Sequence, residues 1–249
     1  MNLRTYFLGF LSGDDTKRKI AYAASFGVDN LDDWSQSELR DCRKLIQQFH
    51  AVSVREEQGL DLCQRLLGHE AQWVLDPTML LSKEQYLQLI PDDIEKKAPG
   101  VFCYFLDKDD KKTNFASRVG LHLGLSVSHF LPAKFDELRY GPHDGYSFPS
   151  VEEWLAGFRD AAFVVTDSFH GTVFAILFGK PFLCIGNKKR GTARFTSLLR
   201  LFGLEQRIIE ADAEISQTLL SPIDYKEVNG RLEEMRQSST NFLRQALLA

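Results

Sequence analysis

Short apolar runs alternate with stretches of helical periodicity along almost the whole chain. The alternation is plainest late in the sequence. An apolar run from Ala161 to Val165 ends in Thr166-Asp167-Ser168. A second, from Phe169 to Phe178, stops at Gly179 and Pro181, and a third, from Phe182 to Ile185, leads into Gly186-Asn187-Lys188-Lys189-Arg190. The outer two runs are short enough to be fully buried parallel strands, and the middle one has helix length. The polar group Asp167, Ser168 and His170 therefore sits where a strand hands over to a helix. In an open α/β sheet that place is the carboxyl end of a strand, where ligands bind. A helix N-terminus there offers unpaired N–H groups and the positive end of a dipole, which suit a phosphate or carboxylate.

The same alternation runs through the rest. The first part predicts a strand at Ile20–Ser25, a helix at Ser35–Phe49, a strand at Ala51–Val54, a helix at Glu56–Leu67 and a short strand at Gln72–Leu75. Leu39, Cys42, Leu45, Ile46 and Phe49 recur at helical spacing and are expected to face a sheet. Ser82-Lys83-Glu84-Gln85 reads as a capping box for a helix to Ile90. A loop-like stretch from Pro91 to Gly100 marks a domain boundary. Beyond it come a strand at Val101–Leu106, a helix at Asn114–Leu123, a strand at Ser126–Leu131, a long polar loop from Pro132 to Pro149 and a capping box at Ser150-Val151-Glu152-Glu153. After the three runs of the opening paragraph follow a helix at Ala193–Phe202 and a short strand at Arg207–Ile209. The last helix carries Val228, Leu232, Met235, Phe242 and Ala246 as an apolar stripe with Ser239 as a polar gap, a pattern for packing on the rest of the protein.

These elements predict an α/β fold of two parallel units: residues 1–97, residues 98–222, and a terminal helix at 223–249 that packs back on the first. The second unit has five strands, a complete doubly wound set, and the first has three. The chain also opens on Tyr6-Phe7-Leu8-Gly9-Phe10-Leu11, an apolar stub without an evident partner, so the first unit is expected to be incomplete.

Composition narrows the function. The chain has 249 residues, 44% hydrophobic and 26% charged, with a formal net charge of -4, which makes nucleic acid a poor default partner. Cys42, Cys63, Cys103 and Cys184 lie apart among apolar neighbours, so buried reduced thiols and a reducing cytoplasm are expected. No apolar run approaches the roughly 20 residues of a membrane span. No Gly-rich phosphate loop follows any strand, so phosphate binding is left to helix ends and arginines. The loop Gly141-Pro142-His143-Asp144-Gly145 holds one His–Asp pair, too little for a metal site, and no metal is expected.

Thr166-Asp167-Ser168-Phe169-His170-Gly171-Thr172, with Gly179-Lys180-Pro181-Phe182 after it, resembles the polysaccharide pyruvyl transferases. So do Ala21-Tyr22-Ala23-Ala24-Ser25-Phe26-Gly27, Ser53-Val54-Arg55-Glu56 and Asp76-Pro77-Thr78-Met79-Leu80-Leu81, and so does Arg194 followed by Ser197-Leu198-Leu199 and Phe202-Gly203-Leu204. The similarity runs from about Tyr6 to the final helix. It implies two Rossmann-like domains with a cleft between them, as in GT-B glycosyltransferases. It also implies transfer of pyruvate from phosphoenolpyruvate to a sugar diol as a ketal, in bacterial surface-polysaccharide synthesis, with no further cofactor. Family members carry an N-terminal βα segment ahead of the stretch like Tyr6–Gly27, so part of the first domain is expected to be missing here. Well-studied members have Arg-Leu-His where this chain has Ser168-Phe169-His170, a form common in bacterial relatives, which removes one cation expected to hold the donor.

The resemblance singles out His170 as general acid or phosphate-binding cation, against the alternative of a satisfied core histidine. Asp167 stands as catalytic or orienting, and Ser168 as donor ligand; both are equally suited to capping a helix. Arg55 and Arg194 are candidate partners for the anionic donor, since the planar guanidinium fits carboxylate and phosphate alike. Ser25, Phe26 and Gly27 form an acceptor-side wall in the family reading and an ordinary βα turn otherwise. Gly171 is expected to allow close approach of backbone or ligand. A lipid-linked acceptor would bring peripheral membrane association, and a homo-oligomer is compatible with an unfilled sheet edge. Two other classes stay open: a GT-B-like glycosyltransferase using a nucleotide sugar, and a non-catalytic binding or assembly subunit.

Overall fold

The computed structural model describes residues 3–13, 16–28, 30–107, 109–130, 149–186 and 193–248. The polar loop from Pro132, the His143–Asp144 pair and the basic run Lys188-Lys189-Arg190 fall on residues outside the described ones, apart from Pro149 and Gly186 at their margins. The chain divides into two compact units, one of Met1–Leu80, Lys189–Phe202 and Val228–Ala249, the other of Leu81–Lys188 and Gly203–Glu227. The first division falls ahead of the expected 97/98 boundary. The reason is Tyr86, on the helix α4 (Lys83–Leu87), which sets its ring edge-on to Phe174 of the second unit at 4.8 Å.

The first unit is built on a three-stranded parallel sheet, β1 (Ile20–Ala24), β2 (Ala51–Val54) and β3 (Gln72–Trp73), in that spatial order. Helix α2 (Gln36–Ile46) begins at a Ser35–Glu38 capping box and lays Cys42 and Ile46 on Val52 and Val54. Helix α3 (Glu57–Asp61) widens into a π turn at Leu62–Leu67, which adds Cys63 and Leu67 to that face. On the other face the terminal helix α10 (Tyr225–Leu248) brings Phe242 and Ala246 against Ala23 and Val74. Its polar gap has a reason: Ser239 is buried, donates to the Met235 carbonyl and accepts the Leu75 N–H at 2.9 Å. The N-terminal stub is not without a partner, contrary to expectation. It forms helix α1 (Leu3–Tyr6) and a 3-10 turn at Gly9–Leu11, and Leu3 and Phe7 pack on the α2 face, with Phe7 edge-on to Trp34 at 6.2 Å.

The second unit holds a five-stranded, all-parallel sheet of β4 (Val101–Tyr104), β5 (Val127–His129), β6 (Phe163–Thr166), β7 (Phe182–Ile185) and β8 (Ile208–Ile209), in the order β5-β4-β6-β7-β8. Period-two alternation separates its two faces. Val101, Cys103, Phe163 and Val165 face helix α5 (Asp110–Leu123) with Phe115, Ala116 and Val119. That helix starts four residues earlier than the apolar spacing predicts, because Asp109 caps it by accepting the Lys112 N–H at 2.9 Å. Opposite lies an aromatic layer: Phe102 and Tyr104 from β4, Trp154 and Phe158 from α6 (Val151–Asp160), and Phe174 and Phe178 from the segment after β6, with ring centroids 4.6 to 6.1 Å apart. The edge-to-face pairs among them, Phe102–Phe158, Tyr104–Trp154, Trp154–Phe158 and Trp154–Phe174, are each worth about 0.5–1.5 kcal/mol beyond the area they bury. No helix among the described residues is long and apolar enough to cross a membrane.

Candidate functional site

In the second unit, β4 leads through α5 to β5 on one side, and β6 pairs with β4 on the other. The strand order therefore reverses between β4 and β6, and in an open α/β sheet a crevice forms at the carboxyl ends of the two strands at such a point. Tyr104 and Thr166 end these strands side by side, and the Thr166 hydroxyl donates to the Tyr104 carbonyl at 2.6 Å. The next residue, Asp167, has no exposed surface. Its carboxylate accepts the Leu106 and Asp107 N–H groups at 2.6 and 3.1 Å and the Lys112 ammonium at 2.7 Å. It ties the exit of β4 to the exit of β6 and leaves no open oxygen for a substrate.

Ser168 is the N-cap of α7 (Phe169–Leu177): its hydroxyl accepts the Gly171 N–H at 3.2 Å, and its carbonyl takes both the N–H and the hydroxyl of Thr172. It too is buried, so both polar residues build the corner rather than line it. Gly171 is required because a Cβ there would collide with the Thr166 side chain; the close approach is helix on strand. The rest of α7 is buried except for one residue, His170, which is exposed in the first turn. His170 is thus not a core histidine.

The first unit presents its own strand-end cluster. Strand β1 carries one extra residue relative to β2, since Ala21 pairs with Val52 but Ala24 with Val54. Ala23 takes a positive φ of 52° at that bulge, and the buried Ser53 hydroxyl repairs it by accepting the Ala23 N–H and donating to the Ala21 carbonyl. Bulges re-aim the residues that follow. Here Ser25 emerges exposed, with its hydroxyl 2.5 Å from Glu56 Oε1 as donor. Gly27 has a positive φ of 69°, which glycine alone adopts without strain. Phe26 packs against Trp34 at 6.5 Å.

At the end of β2, Arg55 pairs with Asp76 at 2.7 Å and its Nε lies 3.5 Å from Glu56 Oε1. Asp76, itself buried, is held by the N–H and hydroxyl of Thr78. Burial pushes the Glu56 carboxyl above its ordinary range, against the Ser25 hydroxyl, Arg55, the Phe26 N–H and Arg194, which all favour its ionised form. Arg194 comes from α8 (Ala193–Phe202), and Ser197 of that helix accepts the Glu57 N–H at 2.7 Å. Ser25, Arg55 and Arg194 are therefore brought around Glu56 in one unit, while Asp167, Ser168 and His170 form the corner of the other. Glu56 and Asp76 were missed as site residues in the sequence reading. Both stand in quoted motifs, but only the pairing of β1 with β2 shows that Glu56 meets Ser25.

Beside Ser25 lies a cavity of about 330 Å³ lined by Phe7, Phe26, Trp34, Phe49 and other apolar side chains. It offers no cation and so does not suit an anionic donor. All four cysteines are buried free thiols, and burial pushes Cys42 and Cys63 up to about 11 and Cys184 to about 12, which keeps them inert. Among the described residues no group of three or more His, Cys, Asp or Glu could hold a metal ion.

The family model for polysaccharide pyruvyl transferase matches residues 1–189, a span that takes in both strand-end clusters except Arg194. No curated protein matches the chain.

Proposed function

Since the chain belongs to the polysaccharide pyruvyl transferase family, we propose that it moves the pyruvyl group of phosphoenolpyruvate onto two hydroxyls of one sugar as a ketal, with release of phosphate. His170 is the observation that carries this reading. It is the single exposed residue of a buried helix, at the place where the strand order reverses. Imidazole is also the side chain best suited to hand over a proton near neutral pH. Its proton goes to C3, the methylene carbon of the donor, and leaves cationic character at C2. One sugar hydroxyl forms a C–O bond to C2 and gives up its proton. The C2–O bond to phosphate then breaks, its electron pair leaving with the phosphate, and the second hydroxyl closes the ring and loses its proton. Of the two protons released, one replaces that spent on C3 and the other goes to phosphate.

Arg55 and Arg194 supply cations for the donor's carboxylate and phosphate, since the planar guanidinium fits both. Asp167 and Ser168 act by holding the corner that presents His170. Ser25, Phe26 and Gly27 belong to the acceptor side. The acceptor is a precursor of surface polysaccharide, and the reaction belongs in the cytoplasm, where phosphoenolpyruvate is made.

The test mixes the protein with phosphoenolpyruvate and a panel of sugar glycosides bearing free diols, and follows inorganic phosphate and the new ketal methyl group by NMR. Sugar-dependent phosphate release is expected. His170→Ala should lower turnover at least about a hundredfold, the scale of a lost general acid. Arg55→Ala should chiefly raise the KM for phosphoenolpyruvate, because its anionic partner is present before the transition state. Turnover of a nucleotide sugar with no use of phosphoenolpyruvate would return the chain to glycosyl transfer.

A further inference from the structure

We propose that the Ser25–Glu56 pair is the proton acceptor for the attacking sugar hydroxyl, with Ser25 touching the hydroxyl and Glu56 taking the proton behind it. The proposal rests on the pyruvyl-transfer reading and adds to it the group that activates the nucleophile. Three observations carry it. Ser25 is an exposed residue whose part-buried hydroxyl donates its proton to Glu56 Oε1 at 2.5 Å, so the lone pairs of that oxygen are left to accept from a ligand. Glu56 is 3% exposed; its Oε2 has no hydrogen bond of ordinary geometry among the described residues, although the Phe26 N–H lies close enough to favour the ionised carboxylate. A buried carboxyl with one oxygen unmatched keeps room for a proton, whereas Asp76 and Asp167 have theirs filled by N–H, hydroxyl and ammonium donors. The pair also stands beside Arg55 and Arg194, the cations assigned to the donor, so a hydroxyl on Ser25 would lie next to the electrophile.

The step balances. As the sugar oxygen bonds to C2, its proton passes to Ser25 Oγ, and the Ser25 proton passes to Glu56 Oε1. The proton returns to solvent or phosphate as the products leave. Among the described residues the charged groups that act on Glu56 are Arg55 from its own strand end and Arg194 from α8, and Arg55 also pairs with Asp76. Burial sets Glu56 above the ordinary carboxyl range, and an anionic donor on the two arginines would raise it further, making it a stronger base when the donor is bound. Because a base must be ionised to act, turnover should fall as pH drops through the Glu56 pKa.

The experiment compares wild type, Glu56→Gln, Ser25→Ala and Ser25→Thr in the phosphate-release assay with the same diol panel across pH. Thermal unfolding of each variant checks the fold. Glu56→Gln is expected to lower kcat on the order of a hundredfold, to leave the KM for phosphoenolpyruvate within about twofold, and to abolish the acidic limb of the kcat profile. Ser25→Ala should lose kcat to a similar degree, and Ser25→Thr, which keeps the hydroxyl, should recover most of it. A folded Glu56→Gln with wild-type kcat and an unchanged acidic limb overturns the proposal while leaving pyruvyl transfer in place. Absence of phosphate release by wild type across the whole panel overturns pyruvyl transfer, and the proposal with it.

Discussion

Among the buried carboxyls at strand ends, Asp167 and Glu56 have different surroundings. Asp167 is matched on both oxygens, and its nearest charge is the buried Lys112 ammonium. Removing the charge with Asp167→Asn leaves that cation uncompensated, which should cost about 3–5 kcal/mol in urea unfolding. Adding Lys112→Met should recover part of the loss, since the double variant no longer buries an unpaired charge. Burial makes the folded Glu56 carboxyl hold a proton more tightly than the ordinary value of 4.5. A group of that kind contributes stability below the unfolded value and loses it as pH rises through the folded one. Urea unfolding across pH should therefore show Glu56→Gln gaining on wild type from about pH 4.5 upward. A constant difference between the two proteins across that range would remove the protonation preference. Neither character is legible in the sequence, where both residues stand as acids after an apolar run. Asp167 takes its partners from 55 to 61 positions away.

At the scale of elements, what depends on neighbours in the chain was legible and what depends on distant ones was not. The capping boxes at Ser82 and Ser150 are four-residue patterns and form as read. The helix Ala193–Phe202 and the strands Ala51–Val54 and Phe182–Ile185 match their expected bounds, because apolar spacing alone decides them. The bulge at Ala23 and the use of Ser239 to satisfy Leu75 came from pairings that spacing does not encode. Gly157 is a further instance. In the interior of α6 a glycine reads as a weak point, and alanine there ordinarily gains about 1 kcal/mol of helix propensity. Here a Cβ would strike the ring of Phe102, which is itself wedged against Phe158 and Phe130. The cost of overpacking, about 1–3 kcal/mol, should exceed the gain. Gly157→Ala is therefore expected to lower the thermal midpoint, and a rise would mean that the aromatic layer yields.

Over the whole molecule the two units differ in how much sheet each encloses. The second has five strands, of which β4, β6 and β7 are interior, and all four residues of β6 and of β7 are buried. The first has three strands, and its β3 pairs over only two residues. Local opening follows buried contact and hydrogen bonding, so amides of well-enclosed strands exchange only through global unfolding, while short outer strands open on their own. Native-state hydrogen exchange should find the slowest amides at Phe163–Thr166 and Phe182–Ile185, and markedly faster ones at Gln72–Trp73. The contrast bears on function through the corner at Asp167. That residue follows β6 directly and is bonded to the loop after β4, so His170 is presented from the part of the molecule expected to open last. Ser25 follows a bulged strand in the smaller sheet, whose residues should exchange at intermediate rates. If phosphoenolpyruvate binds at Arg55 and Arg194, its addition should slow exchange over Ala51–Val54 and Ala193–Phe202 by mass action. Uniform protection of both sheets without the donor would contradict the ranking, and donor-induced slowing confined to residues far from Arg55 and Arg194 would move the anion site elsewhere.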